Sequence, residues 1–509
     1  MTRSMTEGFL FTDQYQLTMA QLYFREGLHE RPAQFEHYFR VNPNYGGHQA
    51  GYCVNAGLAW LLDWMESSRA SEAEIEVLRQ HRSPNGERVF GDDFLSWLGQ
   101  NGSFDGISMR AIPEGRVVHP NVPLVIVRGP LAMAQILETA LLAHCNHQTL
   151  IATKAGRVAE AARGRPVMEF GLRRGPERGG NAATRAALIG GAVATSNVGV
   201  GHYVGVPPTG THAHSLVQAF MALGMGELGA FQAYANAYPE TCLLLVDTID
   251  TLGSGVPNAI RVFEGLRRQG HRPVGIRLDS GDLAYLAVQA SMQLDLAGFD
   301  EVGIVLSSGL DEITICQILA QIDQEAAQYG VDPRGLVNRI SFGVGSKMST
   351  SDGQPYLDGV YKMVAIHDQT QWVPAIKISD NPMKVQTPGD KDVYRLYDRR
   401  GLATADVVTI AGQPLPEDPL ALRHPFDMDV SRTLHPHDLS ATEPLLADAL
   451  VEGQRKTPLA SIEELRSRRV HDLARLDPGV RRLVNPHTYH VSLTEELLAL
   501  RQRLVATAR

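Results

Sequence analysis

Two histidines stand one residue apart in the segment GTHAHSLVQAF, which covers residues 210–220. His212 and His214 follow a Gly-Thr pair and precede a run with helical spacing. An imidazole can bind a metal, act as a base or accept a phosphoryl group. It can also serve only as a polar residue in a turn. The pair alone therefore leaves its chemistry open, and its surroundings have to decide.

Arginines among glycines form a second candidate site. The segment FGLRRGPERGGNAATR (170–185) places Arg173 beside flexible backbone amides, a combination that suits phosphate, diphosphate or carboxylate. The segment SFGVGSKMSTSDG (341–353) offers a similar loop, in which backbone N–H groups can converge near Lys347. An ordinary glycine turn explains the second segment equally well. Together, the two segments favour a phosphorylated substrate.

Residues 154–185 carry eight basic and three acidic side chains. For Lys154, Arg157 and Arg163 the sequence predicts a solvated helix face.

Charged residues also follow apolar runs directly. Asp247 ends the run CLLLV, and Arg277 and Asp279 lie in GIRLDSGD. Continuous apolar runs are typical of parallel strands that are buried on both faces. The carboxyl ends of such strands are where barrel enzymes assemble their sites. These three side chains are therefore candidates for chemistry.

Strand-like runs alternate with helical stretches between about residues 165 and 370. The runs are RPVMEFGLRR, GAVATSNVG, VGVPPTGTHAHS, CLLLVDTIDT, PVGIRLDSGD, GIVLSSGLD, RISFGVGSK and YKMVAI. This alternation predicts an α/β barrel or a doubly wound parallel sheet.

The regions on either side of residues 165–370 lack this regular alternation of strand-like and helical runs. Residues 1–150 mix helical patterns with short β-like runs and predict an α+β domain; residues 151–380 would be the barrel, and residues 381–509 a C-terminal region that packs on the N-terminal domain. In the last region DKDVYRLYDRRGLATADVVTIAG predicts strands, while DLSATEPLLADALVEGQRK and SLTEELLALRQRLVATAR predict surface helices.

Composition excludes several classes of protein. The net charge is −9, so no global basic field recruits nucleic acid. The four cysteines are far apart, which disfavours a disulfide framework or a thiolate zinc site. The N-terminus does not read as a signal peptide, and no apolar stretch approaches the roughly 20 residues of a membrane span. We expect a cytoplasmic protein that binds neither membranes nor nucleic acid.

An ordered set of segments resembles the nicotinate phosphoribosyltransferase family. The segments are TDQYQLTMAQLYF, EFGLRRGPERGGNAATRAALIGGAVATSNV, GVPPTGTHAHSLVQAF, LLLVDTIDTLGSGVPNAI, GIRLDSGDLAYLA, SSGLDE, FGVGSKMSTSDGQPYLDGVYKMVAI and NPHTYHVSLTEELLAL. They cover nearly the whole chain in the order of that family.

The resemblance implies a reaction and a fold. Nicotinate would attack phosphoribosyl pyrophosphate (PRPP) to give nicotinate mononucleotide and pyrophosphate, the first step from nicotinate towards NAD. ATP would be a co-substrate, hydrolysed through a phosphohistidine, and Mg²⁺ the cofactor. The fold would be an irregular α/β barrel of the type II phosphoribosyltransferase kind, with an α+β N-terminal domain and a C-terminal extension. The chain would form a homodimer with its active site at the interface.

The resemblance also implies roles for individual residues. His214 would be the phosphorylated histidine, Asp247 the carboxylate that orients it, and Asp279 a partner of the ribose hydroxyls or of magnesium, whose ligands stay open. His212 is interpreted as a bystander. The residues expected to bind substrates are Tyr15 (from the other subunit) and Phe170 on the pyridine ring, Thr211 near the nicotinate, Arg277 on the nicotinate carboxylate or on PRPP, Arg173 on phosphate, and Ser308, Gly309, Gly345 and Ser346 on the 5′-phosphate.

Asn197 could determine substrate choice. It lies near the position where nicotinamide-using relatives carry an aspartate, which would repel a carboxylate substrate. An asparagine there favours nicotinate.

Other interpretations remain. A metal-dependent barrel hydrolase would place H-x-H on its first strand and further histidines on later strands, which this sequence does not offer. A type I phosphoribosyltransferase needs paired acids followed by T-G-G-T. A quinolinate phosphoribosyltransferase shares the barrel but fits the THAHS and RLDSGDL segments less well. A binding module without catalysis stays open.

Overall fold

The computed structural model describes residues 6–381, 384–415, 419–427, 429–456 and 458–507. The chain divides into two compact units. Unit 1 consists of Met1–Leu150 together with Tyr356–Arg509, and unit 2 is the continuous segment Ile151–Pro355. The predicted division into three domains at residues 150 and 380 stays a prediction.

The helices, in chain order, are α1 (Gln14–Arg25), α2 (Leu58–Ser67), α3 (Glu72–Gln80), α4 (Asp92–Asn101), α5 (Leu131–Ile136), α6 (Glu138–Ala161), α7 (Glu177–Gly190), α8 (Val198–Tyr203), α9 (His214–Ala222), α10 (Gly226–Ala237), α11 (Val256–Arg268), α12 (Leu283–Leu296), α13 (Glu312–Glu325), α14 (Pro333–Arg339), α15 (Ser346–Ser349), α16 (Ile462–Ala474) and α17 (Glu495–Thr507).

The strands are β1 (Pro32–Phe39), β2 (Cys53–Val54), β3 (Ser108–Ala111), β4 (Val117–Val118), β5 (Val125–Pro130), β6 (Val167–Glu169), β7 (Ala194–Thr195), β8 (Leu243–Leu245), β9 (Gly275–Leu278), β10 (Gly303–Ser307), β11 (Ile340–Val344), β12 (Gly359–His367), β13 (Trp372–Pro374), β14 (Lys391–Asp398), β15 (Ala403–Ile410), β16 (Leu420–Arg423), β17 (Ser431–Leu434), β18 (Leu439–Pro444), β19 (Ala447–Val451), β20 (Gln454–Arg455) and β21 (Val491–Thr494).

Unit 2 contains a six-stranded parallel sheet in the order β7-β6-β11-β10-β9-β8. Neighbours in this order are also neighbours along the chain, apart from the β6–β11 pair, which joins the first strand to the last. The strands therefore run in a circle that is open only between β7 and β8. Leu244, Ile304 and Leu306 are fully buried, as expected for strands covered on both faces.

The gap between β7 and β8 is filled by a segment without a strand. The Thr209 N–H donates to the carbonyl of Thr195 in β7 at 2.8 Å, and the Leu245 N–H of β8 donates to Nε2 of His212 at 3.1 Å. The prediction of a strand over VGVPPTGTHAHS is therefore wrong. Pro207 and Pro208 lack the N–H groups that a strand between two neighbours must donate. We call residues 205–213 the seam.

The run YKMVAI lies outside the parallel sheet. It belongs to β12 of unit 1, which pairs antiparallel with β1. Its first residue, Tyr361, is buried, stacks on Phe35 at 4.8 Å between ring centroids and donates to the carbonyl of Ala134 at 2.8 Å. Its assignment to the barrel was wrong, because apolar periodicity indicates a strand without indicating which sheet it joins.

Unit 1 is built on two larger sheets and a two-stranded ribbon. Their orders are β13-β12-β1-β5-β3-β19-β20, β17-β16-β21-β15-β14-β18 and β2-β4. The predicted strands in DKDVYRLYDRRGLATADVVTIAG are confirmed as β14 and β15, and the last predicted helix as α17. The other predicted helix, DLSATEPLLADALVEGQRK, is wrong. It forms β18, β19 and β20, because pairing with β14 and β3 overrides the helical spacing of its leucines.

In the part of the chain that the structure describes, no helix has the length and apolar character needed to cross a membrane.

Candidate active site

The carboxyl ends of the six parallel strands bring most of the predicted residues to one edge of unit 2. Strand ends and the turns that follow them carry Phe170 after β6, Asn197 after β7, Asp247 after β8, Arg277 and Asp279 at β9, Ser308 and Gly309 after β10, and Gly345 and Ser346 after β11. Parallel strands end at a common edge, so these residues share it. We call it the carboxyl edge.

Arg277 is held by three side chains. Its Nε donates to Ser307 Oγ at 2.8 Å and its Nη1 to Thr211 Oγ1 at 3.1 Å. Its Nη2 donates to Asp279 Oδ1 at 2.8 Å. The guanidinium carbon lies 5.7 Å from the centre of the Phe170 ring. A fixed guanidinium beside an aromatic face can bind a flat acid whose ring stacks on that face.

The Phe170 ring lies against strand β11. A Cβ atom on Gly343 would come within 2.6 Å of Phe170 Cε2, so only glycine leaves room for the ring there. The Phe170 N–H donates to the carbonyl of Val344 at 2.9 Å. The ring therefore has a fixed position relative to Gly345 and Ser346.

Two turns at the edge carry the residues that the sequence predicts to bind phosphate. Ser308 and Gly309 adopt φ angles of 95° and 60°. Lys347, next to Ser346, donates to Asp311 Oδ2 at 2.6 Å. Burial opposes ionisation of Asp311, but hydrogen bonds from Lys347 and from the Thr314 N–H lower its pKa to about 2.

Arg173 lies in the exposed turn Leu172–Arg174.

His214 is the first residue of α9 and is 40% exposed at its side chain. Its Nδ1 lies 3.0 Å from Thr248 Oγ1, and its Nε2 lies 3.8 Å from Asp279 Oδ2. One ring nitrogen is thus engaged by a hydroxyl, and the other faces the carboxyl edge.

Asp247 does not occupy the predicted place beside His214. Its Oδ2 accepts hydrogen bonds from the Asp279 N–H at 2.9 Å and from the Ser280 hydroxyl at 2.7 Å. These donors turn the carboxylate towards the β9 loop, and Thr248 takes the position at Nδ1 of His214. Within the described residues, Asp247 Oδ1 is buried and has no hydrogen-bond partner.

His212 is a structural residue of the seam. Because its Nε2 accepts the Leu245 N–H, the lone pair of that nitrogen is already used. Burial lowers the pKa of His212, which keeps the ring neutral. The described part of the chain contains no group of three or more His, Cys, Asp or Glu side chains placed to hold a metal. The geometry thus favours the bystander interpretation over a metal-ligand pair.

Asn197 is buried and caps helix α8. Its Oδ1 accepts the Val200 N–H at 3.2 Å, and its Nδ2 lies 2.9 Å from Asn181 Oδ1 and 3.2 Å from Thr184 Oγ1. These contacts provide a structural reason for an asparagine here, and its effect on substrate choice stays a prediction.

Three domain descriptions of one family match the chain in order. Residues 10–146 match the nicotinate phosphoribosyltransferase (NAPRTase) N-terminal domain, residues 166–400 match the NAPRTase family domain, and residues 390–501 match the C-terminal domain. The relatives that carry the name nicotinate phosphoribosyltransferase include a bacterial and a human protein. The Bacillus subtilis protein is 38% identical over 96% of this chain and 93% of its own length, and the human protein is 34% identical over 98% and 96%.

The chain belongs to the nicotinate phosphoribosyltransferase family. The crystal structure of human nicotinic acid phosphoribosyltransferase aligns with a TM-score of 0.78 at 31% identity, over 97% of this chain and 99% of that one. The predicted fold class, an α/β fold of the type II phosphoribosyltransferase kind, is confirmed.

Tyr15 lies on α1 of unit 1 and is 49% exposed. That Tyr15 of one subunit covers the pyridine ring bound by the other subunit stays a prediction.

The prediction of a solvated helix face was wrong for two of its three cations. Lys154 and Arg157 are buried, not solvated, and pair with Glu312 at 2.8 and 3.0 Å. Arg163 is exposed, as predicted, and pairs with Asp323. An amphipathic pattern cannot show that a partner carboxylate on another helix will neutralise two buried cations.

Two site residues were missed. Ser307 bonds Arg277, although the neighbouring Ser308 was chosen from the same pair of serines. Glu169 lies directly before Phe170 and is fully buried. A carboxylate at the end of a buried strand was the available signal for Glu169.

Proposed function

We propose that this chain transfers the phosphoribosyl group of PRPP to nicotinate, forming nicotinate mononucleotide and pyrophosphate. The observation that carries the proposal is the fixed Arg277 guanidinium, which lies beside the Phe170 ring at the carboxyl edge. Family membership supports the same reaction.

The site supplies position rather than a strong base. The pyridine nitrogen has a free lone pair at neutral pH, so catalysis depends on holding it in line with C1 of the ribose. Phe170 stacks on the ring, and Arg277 with Thr211 binds the carboxylate. Ser308, Gly309, Gly345 and Ser346 hold the 5′-phosphate, and Arg173 meets the phosphate end of PRPP. The C1–O bond breaks as the C1–N bond forms, and the electron pair leaves on pyrophosphate.

The carboxylates of the edge fit Mg²⁺. Asp247 Oδ1 is buried without a hydrogen-bond partner in the described structure, and the Asp279 N–H donates to the other oxygen of the same carboxylate. Mg²⁺ prefers carboxylate oxygens and phosphate groups. Asp247 and Asp279 would hold the ion, which supplies charge neutralisation of the pyrophosphate when bound. Asp279 would also accept hydrogen bonds from the ribose hydroxyls.

ATP coupling is assigned to His214. When Nδ1–H donates to Thr248, Nε2 keeps its lone pair and faces the edge. This nitrogen attacks the γ-phosphorus of ATP, forming the N–P bond as the bond to ADP breaks. The N-terminus of α9 stabilises the negative phosphoryl group. Water later hydrolyses the phosphohistidine to phosphate.

The active form is proposed to be a homodimer. Tyr15 of the partner subunit would cover the nicotinate ring on the face opposite Phe170. We also propose that the enzyme acts in the cytoplasm.

One assay tests the reaction. Purified protein is incubated with PRPP, Mg²⁺ and either nicotinate or nicotinamide, with and without ATP, and the nucleotide is identified by mass. Nicotinate mononucleotide, increased by ATP, is expected. Nicotinamide mononucleotide as the main product would contradict nicotinate as the substrate. If neither nucleotide forms, the proposed reaction is wrong.

A variant tests the histidine. His214→Ala is expected to abolish phosphohistidine formation and ATP stimulation and to leave a slow ATP-independent reaction. His202→Ala, which removes an exposed histidine of the same unit, serves as the control. ATP stimulation that persists in His214→Ala contradicts the assignment.

Mixing two inactive proteins tests the dimer. Tyr15→Ala and Arg277→Ala subunits are expected to regain activity together, because one site of each mixed dimer keeps both residues. If the mixture stays inactive although subunits exchange, the shared site is wrong.

A further inference from the structure

Glu169 ends strand β6, the strand that lies between β7 and β11. Its side chain is 0% exposed. It directly precedes Phe170, and yet none of the proposed substrate contacts uses it. A buried carboxylate is costly unless its oxygens are satisfied, so its bonds indicate its role.

The Glu169 carboxylate receives neutral donors on both oxygens. Oε1 is bonded by the Gly171 N–H and by the Ser349 hydroxyl, the latter at 3.2 Å. Oε2 is bonded by the Thr195 hydroxyl at 2.7 Å and lies 3.1 Å from the Thr184 hydroxyl. These four donors come from the turn after β6, from α15, from β7 and from α7.

A second buried carboxylate of unit 2 shows what is unusual here. Glu312, also 0% exposed, pairs with two cations, Lys154 and Arg157. Among the residues that the structure describes, no lysine, arginine or histidine forms an ion pair with Glu169. Its four neutral donors leave the charge of the carboxylate without a cation. We therefore interpret these hydrogen bonds as holding the donor segments in position relative to each other.

The contacts on Oε1 join two parts of the proposed site. Gly171 follows the Phe170 ring, and Ser349 ends α15, which begins at Ser346 of the proposed phosphate loop. The two segments are pressed together. A Cβ on Gly171 would lie 1.7 Å from Ser349 Oγ and 2.9 Å from the carbonyl oxygen of Gly345. Their relative position depends on a shared acceptor between them.

We propose that Glu169 is a positioning residue that couples the nicotinate platform at Phe170 to the phosphate loop 345–349, so that PRPP and nicotinate are held in register. Glu169 does not touch substrate, and it acts through Gly171 and Ser349. The identity of the bound ligands rests on the proposed function, whereas the coupling of the two segments does not.

Three variants separate the links. Glu169→Ala removes all four bonds, and Ser349→Ala removes only the bond to α15. In Glu169→Gln the amide oxygen must face Gly171, whose N–H can only donate, so the bond to Ser349 persists. We expect the KM for PRPP to rise about tenfold in both alanine variants with little change in kcat, and to be largely restored in Glu169→Gln. The double alanine variant should be no worse than Glu169→Ala.

Ser291→Ala is the matched control. Ser291 is also fully buried and its hydroxyl also lies against a carboxylate, at 3.2 Å from Asp295 Oδ2. Ser291 lies on α12, and its hydroxyl accepts a hydrogen bond from the Arg339 guanidinium. Arg339 directly precedes β11, so this contact lies at the amino end of the parallel strands, away from the carboxyl edge. This variant should keep the wild-type KM for PRPP.

Amide hydrogen exchange gives a readout that does not need activity. Glu169→Ala and Ser349→Ala should speed exchange in residues 343–351, while Ser291→Ala should not. If wild-type protein makes no nucleotide, the proposed function fails, and faster exchange in these variants still supports the coupling. Unchanged exchange in 343–351 in both variants, or additive effects in the double variant, overturns it. Glu169→Ala is used only if it unfolds cooperatively, and Ser349→Ala carries the test otherwise.

Discussion

The buried Arg395–Asp406 pair of unit 1 and two carboxylates at the carboxyl edge of unit 2 differ in the partners of their charges. In unit 1, Arg395 and Asp406 are buried and joined by two hydrogen bonds of 2.8 Å, and the Tyr489 hydroxyl donates to the same aspartate at 3.0 Å. At the carboxyl edge, Asp247 keeps a buried oxygen without a partner in the described structure, and Glu169 receives only neutral donors.

The difference separates stability from function. A complete buried ion pair leaves nothing for a ligand, and breaking it leaves an uncompensated charge inside the protein. Groups with unused bonding capacity cost stability, and they are what a polar substrate can bind. Variants of the Arg395–Asp406 pair should therefore change unfolding, and variants at the carboxyl edge should change catalysis.

The largest effect on catalysis is expected from Arg277→Ala. It removes the group proposed to pair with the nicotinate carboxylate, and kcat/KM should fall about a thousandfold, or about 4 kcal/mol. Arg277→Lys should recover little, because an ammonium cannot reproduce the planar fork. Arg267→Ala, in an exposed arginine of the same unit, is the control. Steady-state kinetics measures kcat/KM, and a thermal melt checks that each variant is as stable as the wild type. A KM near the wild-type value for both substrates would show that Arg277 is not part of the site.

The matching change in unit 1 is Asp406→Asn. Burial raises the pKa of Asp406, but the adjacent Arg395 outweighs this and holds the pKa below its usual range. Losing the charge should lower the free energy of unfolding by about 3 kcal/mol and leave both KM values unchanged. Glu495→Gln, at the exposed pair with Arg423, should cost at most about 1 kcal/mol. Denaturant unfolding measures both, and equal losses would contradict the comparison.

Two buried histidines of unit 1 should make its stability depend on pH. Burial lowers the pKa of His37 to about 4 and that of His119 to about 3. Below about pH 6.5 the unfolded chain binds protons that the folded chain does not, so stability falls as the pH drops from about 6.5 to 4. Each histidine contributes at most about 1.4 kcal/mol per pH unit. His37→Gln should flatten the slope measured by urea unfolding, and the exposed control His437→Gln should not.

The smallest effect is expected from Asn197→Asp. The added charge should shift the ratio of kcat/KM for nicotinate over nicotinamide towards the amide by about tenfold or less, since the side chain is buried behind Asn181 and Thr184. Parallel assays with the two substrates measure the ratio. An unchanged ratio would leave Asn197 with only its role as the cap of α8.

The parallel strands and the residues at their carboxyl ends were predictable from one rule. Parallel strands are buried on both faces, so they appear as continuous apolar runs, and they end at a common edge. CLLLV and GIVL are continuous apolar runs, and both became buried parallel strands. Asp247, Arg277 and Asp279 followed from the same rule, because polar residues directly after such strands must lie at a common edge. The resemblance added His214 and Phe170, which residue type alone does not distinguish from core residues.

The errors have a common physical origin, since local sequence does not encode partners. YKMVAI reads as a strand in either sheet, and the leucines of DLSATEPLL satisfy helical and strand spacing alike. The place of Asp247 depends on the Asp279 N–H and Ser280, which compete for its carboxylate. Glu169 escaped notice because its donors lie up to 180 residues away along the chain.

The seam also bears on how such an enzyme can be altered. Residues 205–213 belong to no β-ladder, so their length is not tied to the register of any strand. Insertions and deletions there leave the pairing of the six strands intact, provided that His212 still accepts the Leu245 N–H. Changes of length before Thr209 therefore keep Thr211 and His214 in place, because both flank the anchored His212 and Thr211 is bonded to Arg277. Residues 205–208 are the natural place to vary the length of the chain without moving the groups around Arg277.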